Sequence, residues 1–401
     1  MSASSVIVVG AGPVGLLNAL GLARAGVQVT VLEAEPAVMD SPRAMVYHWS
    51  VLAGLERLGL LDDAIAAGFK KVGYRYFVPR TGEDIRWSLD VLEGHVRHPY
   101  NVHLGQNRLA EIAVRKLQEA GVQVRWNIRV TGVTQDAEGV TVRAETPQGP
   151  QDFQASWVIA SDGARSAVRT SLDVDFPGTT WPQRFVATNI RVDLEALGYE
   201  QSNLVLDPRY GAIVAKIDNT NLWRCTYCED PELSEDGVLE RMPDMFRHII
   251  PEMREHELVQ FSPYRMHQRA AERFRIGRVL LAGDAAHSTN PTGGLGLTSG
   301  LFDTYVLYEA LAAVVKGEAD EEVLDRYAQE RRQVFLEVAS PQASDNNRLV
   351  YMASDPVALE EKLKKMRRMA SDRDFARETS LFTYKLETPS LLTGRRTNDL
   401  S

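Results

Sequence analysis

The chain has 401 residues, 44% hydrophobic and 25% charged, too long for one ordinary core, and it predicts two or three domains. This composition excludes a disordered chain, a collagen and a disulfide scaffold, and the only cysteines, Cys225 and Cys228, point to a reducing, cytoplasmic setting. Its 45 basic and 54 acidic residues leave a net charge of −9, which argues against a broad nucleic-acid-binding surface.

The N-terminal Met-Ser-Ala-Ser-Ser carries no basic region and does not read as a secretory signal. Residues 6–23 are nearly all apolar and about long enough to cross a bilayer. Gly10, Gly12, Pro13, Gly15 and Asn18 would break a membrane helix there, so a strand, a tight turn and a helix fit better. The pattern predicts a buried strand over 6–9, a helix over 13–25 closed by Gly26, and a second strand over 27–33. Trp49, Leu52, Leu55 and Leu58 predict a helix over 45–58, and Leu109, Ile112, Ala113 and Leu117 another ending at Gly121. Val122, Val124, Trp126, Ile128 and Val130 then alternate as one half-buried strand, opening a β-meander that runs to Ala160. Strands over 185–192, 211–217, 221–228 and 258–268, with a helix near 238–250, predict an antiparallel sheet domain. Residues 279–282 return to a buried-strand pattern, and after Gly300 the chain reads as helical, with a frayed last dozen residues.

Gly10-x-Gly12-x-x-Gly15 lies between a predicted strand and a predicted helix, the context that dinucleotide binding requires. The first glycine permits the turn, the second admits a pyrophosphate and the third lets helix pack on strand. Glu33 follows Gly10 by 23 residues, where a carboxylate can accept from a ribose diol. Ala34-Glu35-Pro36 brings no arginine, so FAD or NAD suits this turn better than NADP.

Two further segments narrow the choice. Residues 157–169, Trp-Val-Ile-Ala-Ser-Asp-Gly-Ala-Arg-Ser-Ala-Val-Arg, resemble the Asp-Gly motif of single-component aromatic hydroxylases. Residues 277–287, Gly-Arg-Val-Leu-Leu-Ala-Gly-Asp-Ala-Ala-His, resemble their Gly-Asp motif. With the glycine turn, the three stand in the order and at the spacing of the flavin monooxygenases typified by para-hydroxybenzoate hydroxylase. In style the chain is similar to the phenol and 3-hydroxyphenylpropionate hydroxylases.

The resemblance implies an α/β fold: a Rossmann-like FAD-binding domain with an inserted antiparallel β-sheet substrate domain and C-terminal helices. The expected boundaries are 1–74 with 98–178 and 270–340 for FAD, 75–97 with 179–269 for substrate, and 341–401 for the helical segment. It implies FAD contacts at Gly10, Gly12, Pro13, Val14, Gly15, Glu33, Arg43, Gln106, Val130, Asp162, Gly163, Arg169, Gly283 and Asp284. Further contacts are expected from Pro291, Gly296, Leu297 and Thr298, with Pro291, Gly293 and Gly294 giving backbone groups at the reacting flavin edge. Asp284, a carboxylate followed by two alanines, suits the ribityl chain, and the helix opening near Thr298 would turn its dipole to the flavin. Thr298 departs from the family, which usually carries Asn there.

The activity implied is hydroxylation of a phenolic aromatic through a flavin hydroperoxide, with NAD(P)H and O₂ as co-substrates and no protein nucleophile. No second glycine turn exists for NAD(P)H, so a transient site at the flavin cleft is expected. Tyr210, Trp223, Arg224 and Tyr227 are the substrate candidates, with Trp223 and Tyr227 on one strand face and Arg224 on the other. The alternatives are an epoxidase or oxidase of the same fold, or a non-catalytic binding protein on it. No metal site is predicted: Cys225 and Cys228 diverge on a strand, and His95, His98 and His103 lack a carboxylate at ligand spacing. The basic run from Lys362 to Arg368 reads as a solvated helix face, giving no membrane partner. A monomer or homodimer is expected.

Overall fold

Ser5–Val9 lies at the centre of a six-stranded sheet because its β-branched side chains alternate between two cores. Val6 and Val8 point into the helical side, Ile7 and Val9 into the other. The computed structural model describes residues 5–40, 44–352 and 354–399. The order across this sheet is Arg275–Ile276, Val279–Leu281, Trp157–Ala160, Ser5–Val9, Gln28–Leu32 and Val124–Arg125. All neighbours are parallel except the short first strand. Helices Pro13–Arg24, Gln106–Glu119 and Leu295–Lys316 cover one face. A three-stranded meander, Arg129–Gln135, Val140–Thr146 and Gly149–Ala155, covers the other.

The second sheet has eight strands and is antiparallel except where Ser202–Val205 pairs with Gly73–Val78. Its two longest strands, Gly178–Arg191 and Glu257–Ala270, lie near one edge, where Glu257–Ala270 pairs with His287–Ser288, which follows directly from the Gly-Asp segment of the first sheet. One face is covered by the helix Val238–Ile249. The other packs on the helices Ser340–Tyr351 and Pro356–Ser371 through Val350, Tyr351, Leu359, Leu363 and Met366. Between the two sheets lies a small third one, ordered Val46–Tyr47, Asn101–His103, Phe69–Lys71.

Three expectations give way. The helix expected over 45–58 begins only at Trp49, since Val46–Tyr47 is spent on the small sheet. The alternating run from Val122 to Val130 is not one strand. Val124–Arg125 pairs with Gln28–Leu32, Asn127 turns the backbone at φ 59°, and Arg129 starts the meander. The same alternation serves two sheets because each buries one side of it.

Of the last dozen residues, 390–399 are not frayed, and 400–401 lie outside the described residues. Asn398 is 2% exposed and donates to Ser50 O, while Glu387 accepts from the Thr397 amide. The basic run lies on Pro356–Ser371, where Arg367 pairs with Glu83 and Glu360 and the apolar side packs on the second sheet. No helix among the described residues is long and apolar enough to cross a membrane.

Candidate active site

The glycine turn, Glu33, the Asp-Gly segment and the Gly-Asp segment all fall at the C-terminal ends of parallel strands, on one edge of the first sheet. That edge is where open α/β sheets bind ligands. A cleft of about 350 Å³ opens there, lined by Gly10, Gly12, Pro13, Glu33, Gln106, Val130, Asp162 and Gly163. The glycines divide the work as the motif requires. Gly10 holds φ +102°, and a Cβ on it would collide with Ser161 O. A Cβ on Gly15 would collide with Gly10 O, so the helix could not close on the strand. A Cβ on Gly12 meets nothing within 4 Å, which leaves the backbone free for a phosphate at the helix N-terminus.

Glu33 ties the second strand to this turn, accepting from Ala11 N at 2.6 Å and from Glu35 N at 2.9 Å. Its remaining lone pairs can still take a ribose diol. Val14 packs against both Gly283 and Gly300, locking the Gly-Asp turn to the first helix. Asp284 stands exposed beside that turn. Asp162 caps the short helix after it, accepting from Ser166 Oγ at 2.5 Å and Val168 N at 3.2 Å.

Arg169 is buried and spans two segments, donating to Ala164 O and Ala285 O, each at 2.9 Å. It clamps the two motif loops together. Arg129 and Arg165 flank the cleft or line it, and the spacing of the motifs gave no signal for either. Arg43 lies outside the described residues.

At the far end, residues 290–294 are held from several sides. Asn290 Oδ1 accepts from Thr292 N at 3.0 Å, and Thr292 Oγ1 donates to Asn347 Oδ1 at 3.2 Å. His48 Nε2 lies 2.7 Å from Gly293 O. Burial keeps the His48 imidazole down at about 4, so it is neutral near pH 7 and donates this bond. Gly293 and Gly294 take φ +95° and +69°, and the 22-residue helix Leu295–Lys316 starts immediately after, with Gly296 and Leu297 half-buried in its first turn. Pro291 is exposed. Thr298 Oγ1 donates to Gly294 O at 2.9 Å, so its side chain closes its own helix start. A backbone contact to flavin remains open to it. Sequence reasoning missed His48, Asn290 and Asn347, because they reach this loop only through the fold.

Behind the loop sits a fully buried network. Asp303 accepts from Gly283 N at 3.0 Å, His287 Nε2 at 2.7 Å and Arg331 Nε at 2.8 Å. Burial pushes the Asp303 carboxyl up, but His287 and Arg331 outweigh it and hold it below the ordinary carboxylate range. His287 belongs to this network and stacks on Phe335 at 4.4 Å.

The four substrate candidates do not come together. Trp223 and Tyr227 are buried with Cys225 beneath the helix Val238–Ile249. Tyr210 stacks at 3.9 Å on His248 of that helix. Strand alternation sends only Arg224 to the opposite face, where its guanidinium meets Asn189 Oδ1 at 3.1 and 3.0 Å. Trp223, Tyr227 and Tyr210 therefore stand on the side packed by their own domain. His95, His98 and His103 do not cluster: His98 turns to Glu56 and His103 to Lys216 O. Among the described residues no group of His, Cys, Asp or Glu could hold a metal ion.

Fold and cleft together define a protein built to hold FAD. Residues 3–340 match the model of the FAD binding domain family, to which the chain belongs. It is 44% identical to 6-hydroxy-3-succinoylpyridine 3-monooxygenase HspB of Pseudomonas putida (strain DSM 28022 / S16), over 96% of this chain and 98% of that protein. It is 45% identical to para-nitrophenol 4-monooxygenase of Pseudomonas sp. (strain WBC-3), over 85% and 86% of the two. The crystal structure of p-nitrophenol 4-monooxygenase PnpA from Pseudomonas putida DLL-E4 superposes with a TM-score of 0.92 at 42% identity, covering 96% and 98%. The chain is a single-component FAD-dependent aromatic monooxygenase.

Proposed function

We propose that this protein hydroxylates a ring-hydroxylated aromatic, a phenol or hydroxypyridine, using NAD(P)H as donor and O₂ as oxidant. The observation that carries the reading is the pinned loop at 290–294, set at the seam between the FAD cleft and the second sheet. The names of the two relatives, 6-hydroxy-3-succinoylpyridine 3-monooxygenase and para-nitrophenol 4-monooxygenase, share a hydroxylated ring as substrate. When bound, FAD supplies the redox chemistry: electrons from NAD(P)H and activated oxygen, one atom of which enters the ring.

The chain's own groups do the rest. The glycine turn and the first helix hold the pyrophosphate, Glu33 the ribose, and Asp284 the ribityl chain. The helix Leu295–Lys316 presents its positive dipole end to the flavin edge, favouring negative charge there. The loop's two left-handed glycines keep side chains away from the reacting edge, so the aromatic ring can approach within contact distance. Arg224, on the sheet face opposite the helix Val238–Ile249, is the substrate-facing member of its strand. Apolar walls at Met45, Ala215 and Ile217 keep water from the seam. A transient NAD(P)H site at the cleft, a monomer or homodimer and a cytoplasmic location complete the reading.

The test is a screen of phenols and hydroxypyridines with the purified yellow protein. The expected result is NAD(P)H oxidation accelerated by one class, with a product heavier by one oxygen atom taken from ¹⁸O₂. Colourless protein that takes up no FAD, or NAD(P)H oxidation that no aromatic accelerates, would refute it.

A further inference from the structure

The small central sheet presents one face to the seam, and its register decides which side chains stand there. Val46 and Phe69 both pair with His103, and Lys71 pairs with Asn101. Alternation puts Val46, His48, Phe69, Lys71, Asn101 and His103 on a single face. Tyr47 and Val102 point the other way, into the main helical core. The shared face meets the second sheet: His103 Nδ1 lies 2.7 Å from Lys216 O, and Met45 packs with Ala215 and Ile217. It also reaches the flavin-edge loop through the bond between His48 and Gly293 O.

Lys71 is the exceptional member. It is fully buried, yet its Nζ meets no hydrogen-bond acceptor among the described residues and lies over the Tyr74 ring. The carboxylate whose field reaches it, Glu200, is already paired with Arg86 at 3.2 Å. His103 Nε2, on the same face, is likewise buried and without a partner. Tyr74 is engaged by Asn101 Nδ2 at 2.8 Å, and burial raises both Tyr74 and Tyr76, so neither phenol supplies an anion near neutral pH. A bare ammonium is costly to bury. Burial correspondingly holds Lys71 well below the ordinary lysine range, against the pull of Glu200. It also keeps the His103 imidazole near 3. The face thus offers two buried nitrogens without hydrogen-bond partners, Lys71 Nζ and His103 Nε2, and no counter-ion.

We propose that Lys71 is the base that ionises the substrate's ring hydroxyl and then holds the phenolate as an ion pair. The hydroxyl O–H bond breaks, its electron pair stays on oxygen, and the proton forms an N–H bond to Lys71 Nζ. No oxidant or reductant is consumed in this step. The negative oxygen makes the ring more electron-rich at its ortho and para carbons, and the ammonium it creates is no longer unpaired. The inference rests on the aromatic monooxygenase reading and adds to it the residue that recognises the ring hydroxyl, which favours acidic ring hydroxyls over carboxylates.

The experiment uses the FAD-loaded protein and para-nitrophenol, whose phenolate is yellow and whose phenol is nearly colourless, titrated at a pH where the free probe is mostly protonated. The wild type is expected to turn bound probe into phenolate. Lys71→Met should bind it as phenol, about 10- to 100-fold more weakly, the worth of a hydrogen bond to a charged group. In the variant the pH profile of kcat should follow ionisation of the free phenol. Nitrobenzoate, a carboxylate without a ring hydroxyl, should bind both proteins alike; selective loss of nitrobenzoate binding in the variant would make Lys71 a carboxylate site and overturn the inference. Melting temperature separates this from a structural role: Lys71→Met removes a buried unpaired amine and should not lower it. A wild type that binds the probe as phenol, or fails to bind it while other hydroxyaromatics turn over, overturns the role of Lys71 alone. So does a variant with unchanged spectrum, affinity and pH profile. A protein that turns over no hydroxyaromatic fails the broader reading as well.

Discussion

Replacing Arg331 by Met tests how the flavin-side scaffold is held together. Arg331 is fully buried and its guanidinium makes four bonds: Asp303 Oδ1 at 2.8 Å, Leu386 O at 2.8 Å, Thr388 Oγ1 at 3.1 Å and Ser299 O at 3.1 Å. Methionine matches much of its length but makes none of them, and Asp303 is left buried with His287 and Gly283 N as partners. Breaking a buried pair in this way costs about 3–5 kcal/mol. An unfolding entropy of about 2.1 cal/mol/K per residue gives about 0.8 kcal/mol/K over 401 residues, so Tm should fall by about 4–6 °C. Because Asp303 also holds Gly283 N, the Gly-Asp turn should loosen, and FAD fluorescence in a thermal ramp should report release earlier than in the wild type. Asp303→Leu combined with Arg331→Met removes both charges and should recover part of the loss, making the two changes non-additive. A drop under about 1 °C for the single variant, or a double variant costing the sum of the singles, would refute the argument.

Gly12→Ala should leave Tm of the FAD-free protein nearly unchanged, since its Cβ meets nothing within 4 Å, yet weaken FAD binding sharply; Gly10→Ala should damage both, as read by melting and FAD titration. Arg224→Met should raise KM with FAD content retained, whereas Tyr227→Phe should leave steady-state kinetics near wild type, because Tyr227 packs under the helix Val238–Ile249. His48 and His103, held near 4 and 3 by burial, bind protons less readily folded than unfolded. Stability should therefore be full above about pH 6.5 and fall as pH drops towards 4, measured by urea midpoints, and His103→Gln should flatten that slope. Truncation after Leu386 should lower Tm, since it removes the acceptor of Arg331 at Thr388 and the bond from Asn398 to Ser50.

Much of the cofactor side was legible in the sequence because it is built from local rules. A strand, three glycines at fixed spacing and a helix must turn in one way, and an acid at the next strand end arrives beside them. Gly10, Gly12, Glu33, Asp162 and Gly163 accordingly border a single cleft. Arg169 was singled out by its motif, but its act, bridging Ala164 O to Ala285 O, depends on two loops more than a hundred residues apart in the chain.

The substrate side was legible only in outline. Alternation along Leu222–Glu229 separated Trp223 and Tyr227 from Arg224, but which of the two faces was covered was set by where the helix Val238–Ile249 docked. The alternating run from Val122 to Val130 shows the same limit, because a period of two names a half-buried strand without saying in which sheet it pairs. Lys71, His48 and His103 come from three separate stretches and carry no shared spacing, and a three-residue register alone sets Lys71 and His103 on one face. The sequence by itself determined the glycine turn and the FAD-binding class, since the turn follows from contacts within a few residues and the class from three motifs in order along the chain. Only the tertiary structure decided which polar groups are buried together, because burial is a property of the sheets that close over them.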